Sequence, residues 1–86
     1  MDHFQIFITG IKNKTITLEI NLSSNLSDIY KFINNTYGLK NNLYYLTNSA
    51  KIIEPENITI YQYNLKVCEN KNIKNHSTMY FHIRSH

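Results

Sequence analysis

The sequence predicts an α+β domain in which a mixed β-sheet packs on one α-helix. Three observations carry that expectation. Two runs near the N-terminus alternate apolar and polar residues with period two and are joined by a short turn. A capped stretch with helical periodicity follows them. The chain then closes on a further alternating run, Thr78 to Arg84. At 86 residues, one core is all that the chain can build, so residues 1–86 are read as a single domain.

Phe4 to Ile8 reads Phe-Gln-Ile-Phe-Ile, with Phe4, Ile6 and Ile8 on one face. Thr9 to Asn13 holds the turn chemistry, because Gly10 and Asn13 accept positive φ. Lys14 to Leu22 then alternates strictly, placing Ile16, Leu18, Ile20 and Leu22 together. These two runs predict a β-hairpin.

Asn25 is a good helix N-cap, and Asp28 three residues later suits the positive end of the helix dipole. Leu26, Ile29 and Ile33 form an apolar stripe flanked by Tyr30 and Tyr37, and Gly38 supplies a left-handed C-cap. The spacing predicts a helix over Leu26–Tyr37. Leu43–Leu46 is a short strand candidate closed by a Thr-Asn-Ser turn, and Lys51–Glu54 is another before Pro55. Ile58–Leu65 reads as loop plus a short helical turn. The polar, Asn- and Lys-rich stretch Val67–His76 is expected to be a surface loop. In the final run Met79, Phe81 and Ile83 alternate against Tyr80, His82 and Arg84.

Composition limits the function classes. An apolar fraction of 42% fits a folded domain. No run of about 18 apolar residues exists to span a membrane, and Met-Asp-His-Phe lacks a signal-peptide layout. The single cysteine, Cys68, has no internal disulfide partner, which points to a reducing compartment, cytoplasmic or nuclear. The net charge of +3 permits contact with RNA or acidic surfaces, although the basic residues are scattered. The six Asn-x-Ser/Thr sequons are what a chain with thirteen asparagines yields by chance.

No catalytic constellation stands out. Cys68 and His76 share a segment without a rigid orienting group. His82 and His86 are separated by about 13 Å on an ideal strand, too far for one metal ion. Two glycines cannot build a phosphate-cradling loop. The expectation is a chain that is not an enzyme, with no cofactor, no metal and no small-molecule substrate.

The residues themselves go further than the order of elements. Phe4-Gln-Ile-Phe-Ile followed by Lys14-Thr-Ile-Thr-Leu-Glu-Ile resembles the opening of the ubiquitin family, Met-Gln-Ile-Phe-Val and Lys-Thr-Ile-Thr-Leu-Glu-Val. Gly38 falls at the glycine that ends the family's helix. Lys51, Ile53 and Glu54 match its Lys-Gln-Leu-Glu, Tyr63-Asn64-Leu65 its Tyr-Asn-Ile, and Ser77-Thr78-Met79 its Ser-Thr-Leu. The resemblance spans Phe4–Arg84 and implies the β-grasp fold. It places Phe4, Ile6, Ile8, Ile16, Leu18, Ile20, Leu26, Ile29, Ile33, Ile53, Ile60, Leu65, Met79 and Phe81 in the core, and every one is apolar.

The resemblance also implies protein partners, met through a patch on the sheet. Its positions fall on Ile11, Leu46, Tyr80, His82 and Arg84, with Tyr44 beside them. Placing the patch centre at Leu46 assumes one extra residue among Asn48 and Ser49, which turns Tyr45 inward; an ungapped match gives Thr47. A histidine in place of the family's valine lowers affinity for ordinary ubiquitin receptors, and protonating His82 is expected to weaken the contact further. The family's conjugating tail, Leu-Arg-Gly-Gly, has no counterpart in Ile83-Arg84-Ser85-His86, so the chain as given is expected not to conjugate. A modifier or fusion leader whose glycines lie beyond this chain is the alternative, with Lys14 and Lys51 as linkage candidates. A small basic component of a ribonucleoprotein particle such as the ribosome is a third class. Its contact would be the long loop, through Lys66, Lys71 and Lys74.

Overall fold

The computed structural model describes residues 3–85, so His86 and its spacing to His82 lie outside the described residues. Strands β1 (His3–Ile11) and β2 (Lys14–Asn21) form the expected antiparallel hairpin, in the register Phe4 to Ile20, Ile6 to Leu18 and Ile8 to Ile16. The turn residues Lys12 and Asn13 both adopt positive φ, 52° and 61°. That geometry matches the twist of the flanking strands. Helix α1 (Leu26–Tyr37) occupies the predicted bounds. The Asn25 amide donates to the Asp28 carboxylate at 2.9 Å, and Gly38, at φ 66°, donates its amide to Asn34 O at 2.8 Å.

Strands β3 (Tyr44–Asn48) and β4 (Lys51–Ile53) form a second, shorter hairpin. Helix α2 (Ile60–Lys66) is capped by Thr59, which accepts from the Gln62 amide at 3.0 Å while Gln62 Oε1 accepts from the Thr59 amide. Strand β5 (Thr78–Ile83) enters between the hairpins, parallel to β1 and antiparallel to β3. The sheet order is therefore β2-β1-β5-β3-β4, the mixed five-stranded arrangement expected of a β-grasp domain.

The core lies between one face of this sheet and α1. Ile6, Ile8, Ile20, Leu26, Ile29, Ile33, Ile53, Ile60 and Met79 are all buried as predicted, and Phe4, Ile16, Leu18 and Phe81 pack against them half-buried. Leu65 departs from the expectation and is 69% exposed. The helical repeat of 3.6 residues aims Ile60 and Tyr63 inward from α2 and leaves Leu65 on the opposite side.

Val67–His76 also departs from the expectation of a plain surface loop. A 3₁₀ turn forms over Glu69–Lys71, and Ile73 is fully buried. The Asn64 side chain clamps the backbone of Ile73, accepting its amide at 2.8 Å and donating to its carbonyl at 2.9 Å. Asn75 Oδ1 accepts the Gln5 amide, and the His76 amide returns a bond to Gln5 O. The mostly polar segment is held here as a strap with Ile73 as its plug, because Asn64 and Gln5 pair with its backbone and with Asn75.

Candidate functional site

Three of the six patch residues chosen from sequence are not on the surface. Ile11, Tyr44 and Leu46 are 3%, 1% and 0% exposed. For Ile11 the cause is Gly10, whose φ of 108° makes a bulge between Thr9 and Ile11. The bulge resets the strand alternation and turns Ile11 into the core.

For Tyr44 and Leu46 the cause is register. The β3–β4 turn is the two-residue Ser49-Ala50, with φ 51° and 66°, so no inserted residue is accommodated before it. Tyr44, Leu46 and Asn48 consequently face inward, while Tyr45 and Thr47 face out. Tyr44 is held there by stacking on Tyr30 and Phe81, with its hydroxyl donating to Asn34 Oδ1 at 2.7 Å. Burial raises its phenol pKa well above the ordinary tyrosine value, and the neighbouring Tyr30 adds to the rise.

The outer face of the sheet, away from α1, is what these strands do present. Following the register across the five strands gives one row, Thr15, Thr9, Tyr80, Thr47 and Ile52. Tyr80 stands at its centre, 52% exposed, between two short threonines. Ile52, at the β4 edge, is 46% exposed. Thr15 and Thr9 close the other end with a 2.8 Å hydroxyl–hydroxyl bond.

Beside that row lies an ordered aromatic stack. His82 faces Tyr45 across β5 and β3, with ring centroids 4.8 Å apart and planes 16° from parallel. The His82 Nε2 atom is 3.1 Å from Thr47 Oγ1. The Arg84 guanidinium lies over the same Tyr45 ring at 5.0 Å, and its own amide bonds to Leu43 O at 2.9 Å. The stack fixes where this cation sits without using its donors. The one basic side chain within ion-pair distance of a carboxylate among the described residues is His3, whose Nδ1 lies 3.7 Å from Glu19, so Arg84 has no acidic partner there. Tyr45, Thr47 and Ile52 are thus the functional candidates that sequence reasoning missed. The ungapped match to the family pattern was the signal for Thr47.

The remaining candidates separate into two places. Lys66 and Lys71 line one groove, together with Lys51, Ala50, Val67 and Cys68. Lys74 lies elsewhere, against His3, Phe4 and Leu22, so the three loop lysines do not form one contact. Lys14 and Lys51 are both exposed, at the starts of β2 and β4. Cys68 is an exposed free thiol, whereas His76 stacks on Phe7 at 5.6 Å. No group of three or more His, Cys, Asp or Glu side chains suited to a metal ion occurs among the described residues. Nor is any described helix long and apolar enough to cross a membrane. No family model matches the sequence, and no curated protein matches it either.

Proposed function

We propose that the chain is a ubiquitin-like interaction module that binds another protein non-covalently through the outer face of its sheet. The observation that carries this reading is the Tyr45–His82–Arg84 stack beside exposed Tyr80 and Ile52. Tyrosine and arginine are the residue types that dominate binding energy at protein interfaces, because rigid rings and a planar fork lose little conformational entropy on contact. Here the tyrosines stand on strands and Arg84, just past β5, is held over the Tyr45 ring, so binding need not order them. The β-grasp order of elements and the resemblance of the first hairpin to the ubiquitin family support the same class. A cytoplasmic or nuclear setting accompanies this reading, as does the absence of catalysis.

The test is capture of partners from the native cell by the wild-type chain and by a Tyr80→Ala/Arg84→Ala variant. Both side chains are exposed, so the variant keeps the fold. At least one protein held by the wild type is expected to be lost. Retention of every captured protein by the variant refutes the assignment. Leu46→Ala does not serve here, because Leu46 is fully buried and its truncation would cost about 2–5 kcal/mol of stability, which confounds any loss of binding.

A further inference from the structure

Lys51, Lys66 and Lys71 belong to three different elements: the start of β4, the end of α2 and the 3₁₀ turn of the strap. The fold brings them to one open groove of about 450 Å³, whose other walls are Ala50, Val67 and Cys68. No carboxylate lines it. Lys71 is held in place, since its ammonium donates to Ser49 O at 2.7 Å and its carbonyl accepts from Asn48 Nδ2 at 3.1 Å. Lys51, Lys66 and Val67 also border a second groove, and the carboxylates Glu54 and Glu56 line that one instead.

We propose that this groove is a docking site for phosphate groups, on a surface separate from the sheet face described above. Three ammonium groups without an arginine suit phosphate oxygens. Carboxylates are better met by the flat, bidentate guanidinium fork, whereas lysine acts as a compact point charge indifferent to the planarity of its partner. The groove offers no aromatic ring for a base to stack on. Recognition is therefore of the phosphate groups and not of bases, without sequence preference. The phosphate can come from a nucleic-acid backbone or from a free polyphosphate; the chemistry at the groove is the same.

Amide chemical shifts of the full chain, titrated separately with tripolyphosphate, a decauridylate and poly-glutamate, test this. The expected result is saturable shifts at Ala50, Lys51 and Lys66–Lys71 with either phosphate ligand, and much weaker ones with poly-glutamate. Response to decauridylate identifies the backbone source, with a log K against log salt slope of about −2 for three lysines on a single strand. Response to tripolyphosphate alone identifies the free one. A Lys51→Gln/Lys66→Gln/Lys71→Gln variant should lose the binding at least tenfold, while Lys14→Gln/Lys31→Gln/Lys40→Gln, with the same change in charge, should keep it. Cys68, the only thiol, gives a second readout. An anionic thiol reagent should lose about three- to tenfold of its rate advantage over a neutral one in the groove variant. Equal loss in both lysine variants, equal binding of poly-glutamate, or no groove shifts with either phosphate ligand overturns the proposal. The sheet-face reading stands or falls on Tyr80 and Arg84 instead.

Discussion

Tyr30→Phe removes one oxygen from the molecule and should cost it a large share of its stability. The Tyr30 side chain leaves α1 and ends between two strands. Its hydroxyl accepts from the Leu46 amide at 3.0 Å and donates to the Ile53 carbonyl, two residues that face each other in the β3–β4 ladder. One hydroxyl therefore ties the helix to both strands of the shorter hairpin. Phenylalanine keeps the ring and its stacking on Tyr44, so packing is unchanged. What is lost is the partner of two buried backbone groups, each worth about 1–3 kcal/mol when left unsatisfied. The carbonyl has a second lone pair, which brings the sum to about 2–4 kcal/mol. Against a typical domain stability of about 5–15 kcal/mol, that is a major fraction. Urea unfolding followed by circular dichroism should show a lower midpoint at unchanged m, and Tm should fall by about 10–20 °C. Tyr61→Phe, at a residue 55% exposed, is the control and should stay within about 0.5 kcal/mol. A Tyr30→Phe change below about 0.5 kcal/mol would show that Leu46 and Ile53 close their own ladder bond, and that the hydroxyl holds nothing.

Gly10→Ala should destabilise by about 1–3 kcal/mol in the same assay, since φ is 108° there and an added Cβ would stand 3.1 Å from Phe81 O. An unchanged midpoint would mean that the bulge relaxes freely, and the account of Ile11 would fail. Ile73→Ala should cost about 2–5 kcal/mol, whereas Leu65→Ala should cost under about 1 kcal/mol; the reverse order would place the core as the sequence alone suggested. Burial raises the phenol pKa of Tyr30, Tyr44 and Tyr63, so the folded state holds protons that the unfolded chain releases above about pH 10. Their contribution is full below that pH and is lost as pH rises through the folded values. The slope is up to about 1.4 kcal/mol per pH unit for each tyrosine. Urea midpoints flat between pH 9 and 11 would contradict it.

The elements written in local chemistry were legible before any coordinates. The first hairpin follows from strict alternation, and the bounds of α1 follow from Asn25, Asp28 and Gly38, because capping and periodicity act between residues a few positions apart. The inward residues Ile6 and Ile8 of β1, Ile20 of β2, and Leu26, Ile29 and Ile33 of α1 were likewise readable from their spacing, whereas Ile11, beyond the bulge at Gly10, was not. Tyr44-Tyr45-Leu46 offered no such contrast. With apolar bulk on both faces, the periodicity is silent on which parity faces the helix. A two-residue turn at Ser49-Ala50 and the docking of Tyr44 on Tyr30 decided it.

Sequence by itself thus determined the order of elements, the single core and most of its members. Tertiary structure alone decided which side chains the sheet presents at its surface. It turned Ile11, Tyr44 and Leu46 inward and set Tyr45 beneath His82 and Arg84. It also joined Lys51 to Lys66 and Lys71 across intervening elements while sending Lys74 elsewhere. The physical reason is range. Caps and alternation are enforced by neighbours along the chain, whereas a surface is assembled from residues that only packing and register bring together.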